Sequence, residues 1–288
     1  MKILFVPVKT SFLTFETMAD AKLTAGNILT EQNLILSKHL EREVIFDAYL
    51  PLHIAENATI GLLLINDGQD LPKMHFDHLL DGLIQSSQME PLICIGIHCG
   101  EDRKMEYGTV SEKDYKGRGA KAPAYSRFIF EELLPIIRRK YKIEAFREKS
   151  FAGFSLGALS ALDIVWNNPF EFSKAGLFSG SFWWRDKSYK DGYDDAVNRI
   201  MHKIIRNGKY APWLKFFFEC GALDETKDRN NNGIIDSIDD TLDLIDELKN
   251  KGYTDESIHY LELEDGHHDV YTWGRAFPEF LKWGWGKK

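Results

Sequence analysis

Gly153-Phe154-Ser155-Leu156-Gly157 is the stretch on which the chain is organised. Before it, Lys149 to Ala152 follows a polar turn. After it, residues 158–166 are helix-forming and apolar on one side. That is strand, sharp turn, helix, with a serine at the apex. Such a turn forces the serine backbone into a strained conformation, and the flanking glycines remove side chains that would clash there. It lifts the hydroxyl above the sheet edge and aims the first helical amides at whatever the serine attacks. As a bare pattern it is common; its meaning comes from the partners further along the chain.

Outward from this turn, strands alternate with helices. Apolar and polar residues alternate through 36–50 up to Pro51, as in a half-buried strand. Residues 60–65 (Ile-Gly-Leu-Leu-Leu-Ile) and 91–98 read as buried strands, with a short amphipathic helix over 76–85 between them. Residues 1–35 are weakly patterned. Residues 99–123 are charged and glycine-rich, a long loop of the functional or disordered kind. A helix is expected over 124–141, strands over 174–178, 213–220 and 258–263, and helices over 197–206, 241–251 and 274–283. The pattern predicts an α/β fold: a mostly parallel central sheet with helices on both faces, in a single domain over 1–288.

Composition excludes several classes. The chain has 288 residues, 44% hydrophobic and 28% charged, ordinary for a globular enzyme. A net charge of −8 argues against nucleic acid as a partner. Three cysteines without a spacing pattern do not suggest a disulfide framework. Residues 1–9 lack the length and cleavage site of a signal peptide, and no apolar stretch is long enough to span a membrane, so the cytoplasm is the expected compartment.

A serine hydroxyl needs a histidine base, and the histidine needs a carboxylate to fix its tautomer. In doubly wound sheets these groups stand on loops at the carboxyl ends of strands. One late strand runs into Gly221-Ala222-Leu223-Asp224-Glu225, another into Gly266-His267-His268-Asp269. Asp224 is the candidate acid, with Glu225 and Asp228 as rivals; His267 and His268 compete as base. The order Ser, Asp, His is that of the α/β-hydrolase fold. The oxyanion needs backbone donors: the N–H of Leu156, beside the nucleophile, and the N–H of Gln69 in the loop Asn66-Asp67-Gly68-Gln69.

Taken together, these motifs resemble the esterase D-like branch of the α/β hydrolases, also called the "putative esterase" family. It includes S-formylglutathione hydrolases, feruloyl and acetylxylan esterases, mycolyltransferases and enterochelin esterases. The resemblance runs from about Val44 to the C-terminus. It rests on Asp67-Gly68-Gln69, Glu132-Leu133-Leu134-Pro135, the pentapeptide, Ser179-Gly180-Ser181-Phe182-Trp183-Trp184, and Gly266-His267-His268-Asp269. The family's Gly-Gly-His-Asp register implies His268 as base, with His267 where a glycine is common. The resemblance implies a serine esterase working through an acyl-enzyme on a small-molecule or carbohydrate-linked ester, with no catalytic cofactor. An acyltransferase on the same residues and a non-catalytic binding relative are the alternatives. No N-terminal accessory domain of the siderophore-esterase kind is evident, which speaks against a trilactone substrate. Trp183 and Trp184, one of them facing inward, and the charged loop 99–123 are expected to line the pocket.

A second motif stands apart. Asp228, Asn230, Asn232, Asp236 and Asp239 fall at the oxygen-ligand positions of an EF-hand loop, with Gly233 at its sharp turn and the carbonyl of Ile234 as a further ligand. Asp239 replaces the usual glutamate. The expectation is a structural calcium or similar hard cation bracing the acid loop.

Overall fold

The computed structural model describes residues 15–17, 21–52 and 59–287; the N-terminal segment 1–9 read above lies outside them. The scaffold is one ten-stranded sheet. Its strands are β1 (Phe15–Thr17), β2 (Lys22–Ala25), β3 (Ile28–Ser37), β4 (Arg42–Pro51), β5 (Gly61–Asn66), β6 (Leu92–Ile97), β7 (Lys149–Phe154), β8 (Lys174–Phe178), β9 (Lys215–Leu223) and β10 (Ile258–His267). The order is β1-β3-β4-β6-β5-β7-β8-β9-β10, with β2 paired to β3. Every pairing from β6 to β10 is parallel, and those among β1 to β4, and of β4 with β6, are antiparallel. All residues of β5 and β6 are buried. Parallel strands are covered on both faces, which is why these two read as unbroken apolar runs.

Two cores fill the faces. One lies under α3 (Ala122–Arg127), α4 (Leu134–Tyr141), α5 (Leu156–Asn167), α7 (Ile200–Asn207) and α8 (Asp236–Lys251). The other lies under α1 (Phe76–Gln85) and α9 (Val270–Trp285). The short helices α2 (Arg103–Glu106) and α6 (Asp195–Asn198) belong to connections. Residues 156–166 of α5 are all buried, so this helix is apolar almost all round.

The structure departs from the sequence reading in three places. A ten-residue strand, β3, runs through the weakly patterned N-terminal region. Its inward row is Glu31, Asn33, Ile35 and Ser37. Three of these are polar, so no apolar alternation marks it. They are satisfied across the core: Lys140 donates to Glu31 at 2.5 Å and also to Asn33, and Tyr141 Oη–H donates to Glu31 at 2.9 Å. Helix α8 starts at Asp236 instead of Thr241, so the last ligand positions of the EF-hand-like loop lie in a helical turn. The 99–123 segment is ordered and packed: it carries α2, and Glu106, Tyr107 and Thr109 are buried.

Candidate active site

Ser155 links β7 to α5 with φ 55° and ψ −119°. A non-glycine residue held there costs on the order of 1–3 kcal/mol, and the surroundings must impose it. They do. The Ser155 N–H donates to the carbonyl of Phe178 at 2.9 Å, and the Ser155 carbonyl accepts from Ser181 N–H at 3.1 Å. A Cβ on Gly153 would lie 2.4 Å from the Gly157 carbonyl, and one on Gly157 would lie 2.7 Å from Asp67 Oδ2. Both glycines of the pentapeptide are therefore required by close approach. The amide of Leu156 is among the free donors at the start of α5. The Ser155 hydroxyl has the Ser181 hydroxyl 3.2 Å away.

Asp224 stands just beyond β9 and His268 just beyond β10. The ends of these strands close on each other, since a Cβ on Gly221 would meet the Gly266 carbonyl at 2.5 Å. His268 Nδ1 is 3.8 Å from Asp224 Oδ2; the Asp224 side chain is 1% exposed and that of His268 38%. Neither carboxylate oxygen of Asp224 has a hydrogen-bond partner among the described residues. The imidazole packs edge-on against Trp273 at 5.3 Å, and Trp273 Nε1–H donates to Ser179 Oγ at 2.9 Å. His267 is exposed as well but does not line the cleft; its backbone N–H donates to Thr272 Oγ1 at 2.9 Å. Below Asp224, on β9, lies Glu219, fully buried and with neither oxygen hydrogen-bonded among the described residues. Burial, reinforced by the charge of Asp224, pushes its carboxyl up to about 8.

A cleft of about 370 Å³ brings Ser155, Leu156, Ser181, Asp224 and His268 together. Glu225 lines it too, while Asp228 does not. Arg103, Lys104, Arg118 and Trp183 line the same cleft. The Arg118 guanidinium lies 4.9 Å over the Trp183 ring and pairs with the buried Asp114. Trp184 does not reach the cleft. It is fully buried, with its ring against Gly108 and Gly119, where a Cβ would come within 2.9 and 2.8 Å of it.

The loop 66–69 leaves β5 beside the elbow. Asn66 Nδ2–H donates to the Gly157 carbonyl at 2.7 Å, and Asn66 Oδ1 accepts from Tyr125 Oη–H at 2.5 Å. Asp67 has φ 59°. Its carboxylate takes both nitrogens of a forked Arg103 at 2.7 Å. The Gln69 side chain turns away, to a neighbouring cleft of about 300 Å³ shared with Arg42, His98 and Cys99; its Oε1 accepts from Cys99 N–H at 3.1 Å. Sequence reasoning gave no role to Asp67, Ser181 or Glu219, and named Arg103 only as part of the loop expected to line the pocket, where it does stand. A left-handed Asp before glycine was the available sign for Asp67; nothing local marked the others.

The loop 228–239 is closed on itself. Asp228 accepts from the N–H groups of Asn232 at 3.1 Å and Gly233 at 2.8 Å, and Asn232 Oδ1 from Ile234 N–H at 2.8 Å. Asp239 accepts side-chain N–H from Asn230 and Asn232, while Asp236 accepts the Arg229 N–H at 2.8 Å. Among the described residues no group of three or more His, Cys, Asp or Glu side chains is placed to hold a metal ion. Nor is any helix among them long and apolar enough to cross a membrane.

Comparison with known proteins agrees with this fold. The profile of the family described as "Putative esterase" matches residues 37–283. The Bacillus subtilis (strain 168) protein YbbA, described as uncharacterized, is 25% identical over 263 residues, covering 88% of this chain and 96% of its own. Among solved structures, the enterochelin esterase from Shigella flexneri superposes with a TM-score of 0.67 at 18% identity over 88% of this chain; this chain spans only 57% of its length. A ferulic acid esterase superposes with a TM-score of 0.66 at 18% identity, over 90% of this chain and 97% of that one. A siderophore hydrolase, EstB from Aspergillus nidulans, gives 0.65 at 17% identity, over 93% and 98%. With the strand order, the elbow and a family match over most of its length, the chain belongs to this esterase family and is a carboxylic-ester hydrolase of the α/β-hydrolase fold.

Proposed function

We propose that the chain cleaves carboxylic esters through Ser155, His268 and Asp224 by way of an acyl-enzyme. Ser155 Oγ attacks the acyl carbon while His268 takes its proton. The tetrahedral oxyanion accepts the N–H of Leu156 and of Gln69. Collapse breaks the ester C–O bond, and the leaving alkoxide takes the proton back from His268. Water, deprotonated by His268, then attacks the acyl-enzyme, releasing the acid and restoring the serine hydroxyl. Asp224 holds the imidazole and stabilises its charged form. The carrying observation is the shared cleft: a strained serine at its floor, with a histidine and a buried carboxylate 3.8 Å apart on its wall.

The substrate is read from that cleft. Arg103 and Arg118 already serve Asp67 and Asp114. Lys104 pairs with no carboxylate among the described residues. With the Trp183 face, it suits an ester of moderate size that joins a flat apolar part to one anionic or polar group. Solved relatives bear the names of an enterochelin esterase, a ferulic acid esterase and a siderophore hydrolase, consistent with such an ester.

The test is a p-nitrophenyl ester series from acetate to octanoate, with and without a serine-directed organophosphonate. Ser155→Ala keeps the fold, loses on the order of 10⁴-fold in kcat and takes up no phosphonate. A variant that retained a tenth of the activity would remove Ser155 from the mechanism.

A further inference from the structure

Arg103 lines the cleft, and its charge is paired with Asp67. Nε donates to Asp67 Oδ1 and Nη2 to Asp67 Oδ2, each at 2.7 Å, and Nη2 also reaches the carbonyl of Phe154 at 3.2 Å. Phe154 immediately precedes the nucleophile. One planar group therefore touches the loop after β5, the end of β7 and, through its own chain, the 99–123 segment.

The loop it grips needs gripping. Asp67 is in the left-handed region, φ 59° and ψ 41°, which disfavours residues with a Cβ, Asn and Asp least among them. Its N–H donates to Tyr107 Oη at 3.2 Å, and the Arg103 guanidinium lies 5.1 Å over that same tyrosine ring. The Asp67 carboxylate is 3% exposed. It packs directly on the elbow, where Oδ2 occupies the place a Gly157 side chain would take. Asn66 closes the contact through its bond to the Gly157 carbonyl. The loop and the elbow are thus one packed unit, with Arg103 bridging it from outside. Asp67 holds the guanidinium in its charged form against burial.

We infer that Arg103 is a positioning residue: it clamps the loop 66–69 to the nucleophile elbow, so that backbone donors from both segments meet the same oxyanion. The inference rests on the proposed esterase mechanism. Oxyanion stabilisation depends on donors fixed before the reaction begins, and misplacement by about 1 Å costs on the order of 10²-fold. A substrate-binding cation would leave its fork free for a carboxylate; this fork is filled by Asp67. Lysine could supply the charge but not both parallel bonds.

The experiment uses the full chain as Arg103→Met, Arg103→Lys, Asp67→Asn and the Arg103→Met/Asp67→Asn double variant. The neutral ester p-nitrophenyl acetate is the reference substrate. In Arg103→Met, kcat falls by about 10²-fold, KM stays within about threefold, and phosphonylation of Ser155 slows by the same factor. Asp67→Asn does the same, and the double variant is no worse than the worse single, because one interaction is lost in all three. Arg103→Lys recovers part of the rate. Hydrogen exchange by mass spectrometry quickens in the peptide covering 66–70 and stays unchanged in α5 and β9; this readout needs no turnover. Unchanged kcat on the neutral ester with raised KM for an anionic ester overturns the clamp in favour of a substrate cation. Faster exchange throughout the chain with a lowered Tm overturns it in favour of a general structural role. Unchanged exchange at 66–70 overturns it whatever the chemistry. Should the wild type neither hydrolyse esters nor take up phosphonate at Ser155, the esterase mechanism fails separately, and the exchange result still decides the clamp.

Discussion

The two halves of the cleft are built differently. The nucleophile half is locked by backbone: Gly153 touches Gly157, Asp67 fills the space beside Gly157, and Ser155 is tied through its own N–H and carbonyl to β8 and the residues after it. The acid–base half also has touching backbones, at Gly221 and Gly266, but its reacting groups are side chains beyond the strand ends, a half-exposed imidazole 3.8 Å from a carboxylate with no hydrogen-bond partner among the described residues. The difference follows from what each half has to do. Donors to an oxyanion work only if they are already in place, because reorganising them consumes the stabilisation they give. A general base takes the serine proton and returns it to the leaving group through the same ring nitrogen, Nε2, so its ring must shift slightly between the two partners. Rigidity is concentrated where charge develops and withheld where the proton travels.

The sharpest way to break this contrast lies in the two adjacent histidines. His268→Ala is expected to lose on the order of 10³–10⁴-fold in kcat, approaching the loss of the serine itself. His267→Ala is expected to stay within about threefold, since its side chain is exposed and lies outside the cleft. Steady-state kinetics on one ester at saturating concentration checks both. The reverse result would shift the base by one residue and put the imidazole on the solvent side of β10.

Much of the rigid half was legible in the sequence. Strands β5 and β7, helix α1 and the elbow follow from apolar runs, glycines and helix formers that act over a few residues. The misses have a common cause: they depend on partners far away. β3 was hidden because its inward Glu31, Asn33 and Ser37 are satisfied by Lys140, Tyr141 and Glu132, about a hundred residues on. The pairing of Arg103 was hidden because Asp67, which neutralises it, lies 36 positions upstream in another loop. Trp183 and Trp184 are neighbours with equal apolarity, and only the close approach of Gly108 and Gly119 decides that Trp184 is the buried one. Polar pairs between distant elements leave no period in a sequence, and apolar faces do.

The acid loop offers a smaller test. We propose that 228–239 takes calcium, with oxygens from Asp228, Asn230, Asn232, Asp236, Asp239 and the Ile234 carbonyl. Gly233 at φ 87° makes the sharp turn, and Asp239 now accepts the amide N–H groups of Asn230 and Asn232, donors that a cation would displace. Arg229 beside Asp236 at 3.3 Å is the resident positive charge that calcium must compete with. A ligand that binds only the folded state adds about 2.7 kcal/mol at a hundredfold excess over Kd. Melting should rise with millimolar calcium, fall with chelator, and lose both responses in Asp228→Ala. A Tm that ignores both additions leaves the loop as the self-capped turn described above.

The mildest effect is expected at Trp183, and it separates a wall from a scaffold. The ring is partly exposed in the cleft beneath Arg118, which Asp114 holds in place. Removing it deletes an apolar contact surface of the substrate without opening the core. Trp183→Ala should therefore keep its Tm within about 2 °C and lose up to about tenfold in kcat/KM, unevenly along the acetate-to-octanoate series, because a longer or flatter acyl group buries more area against the ring. Trp184→Ala should behave oppositely: deleting a fully buried indole costs about 3–5 kcal/mol of stability through the cavity it leaves, and activity falls alike on every ester. Equal losses on every ester with a lowered Tm in both variants would make Trp183 part of the scaffold as well. The substrate wall would then have to be sought around Lys104 and Glu225.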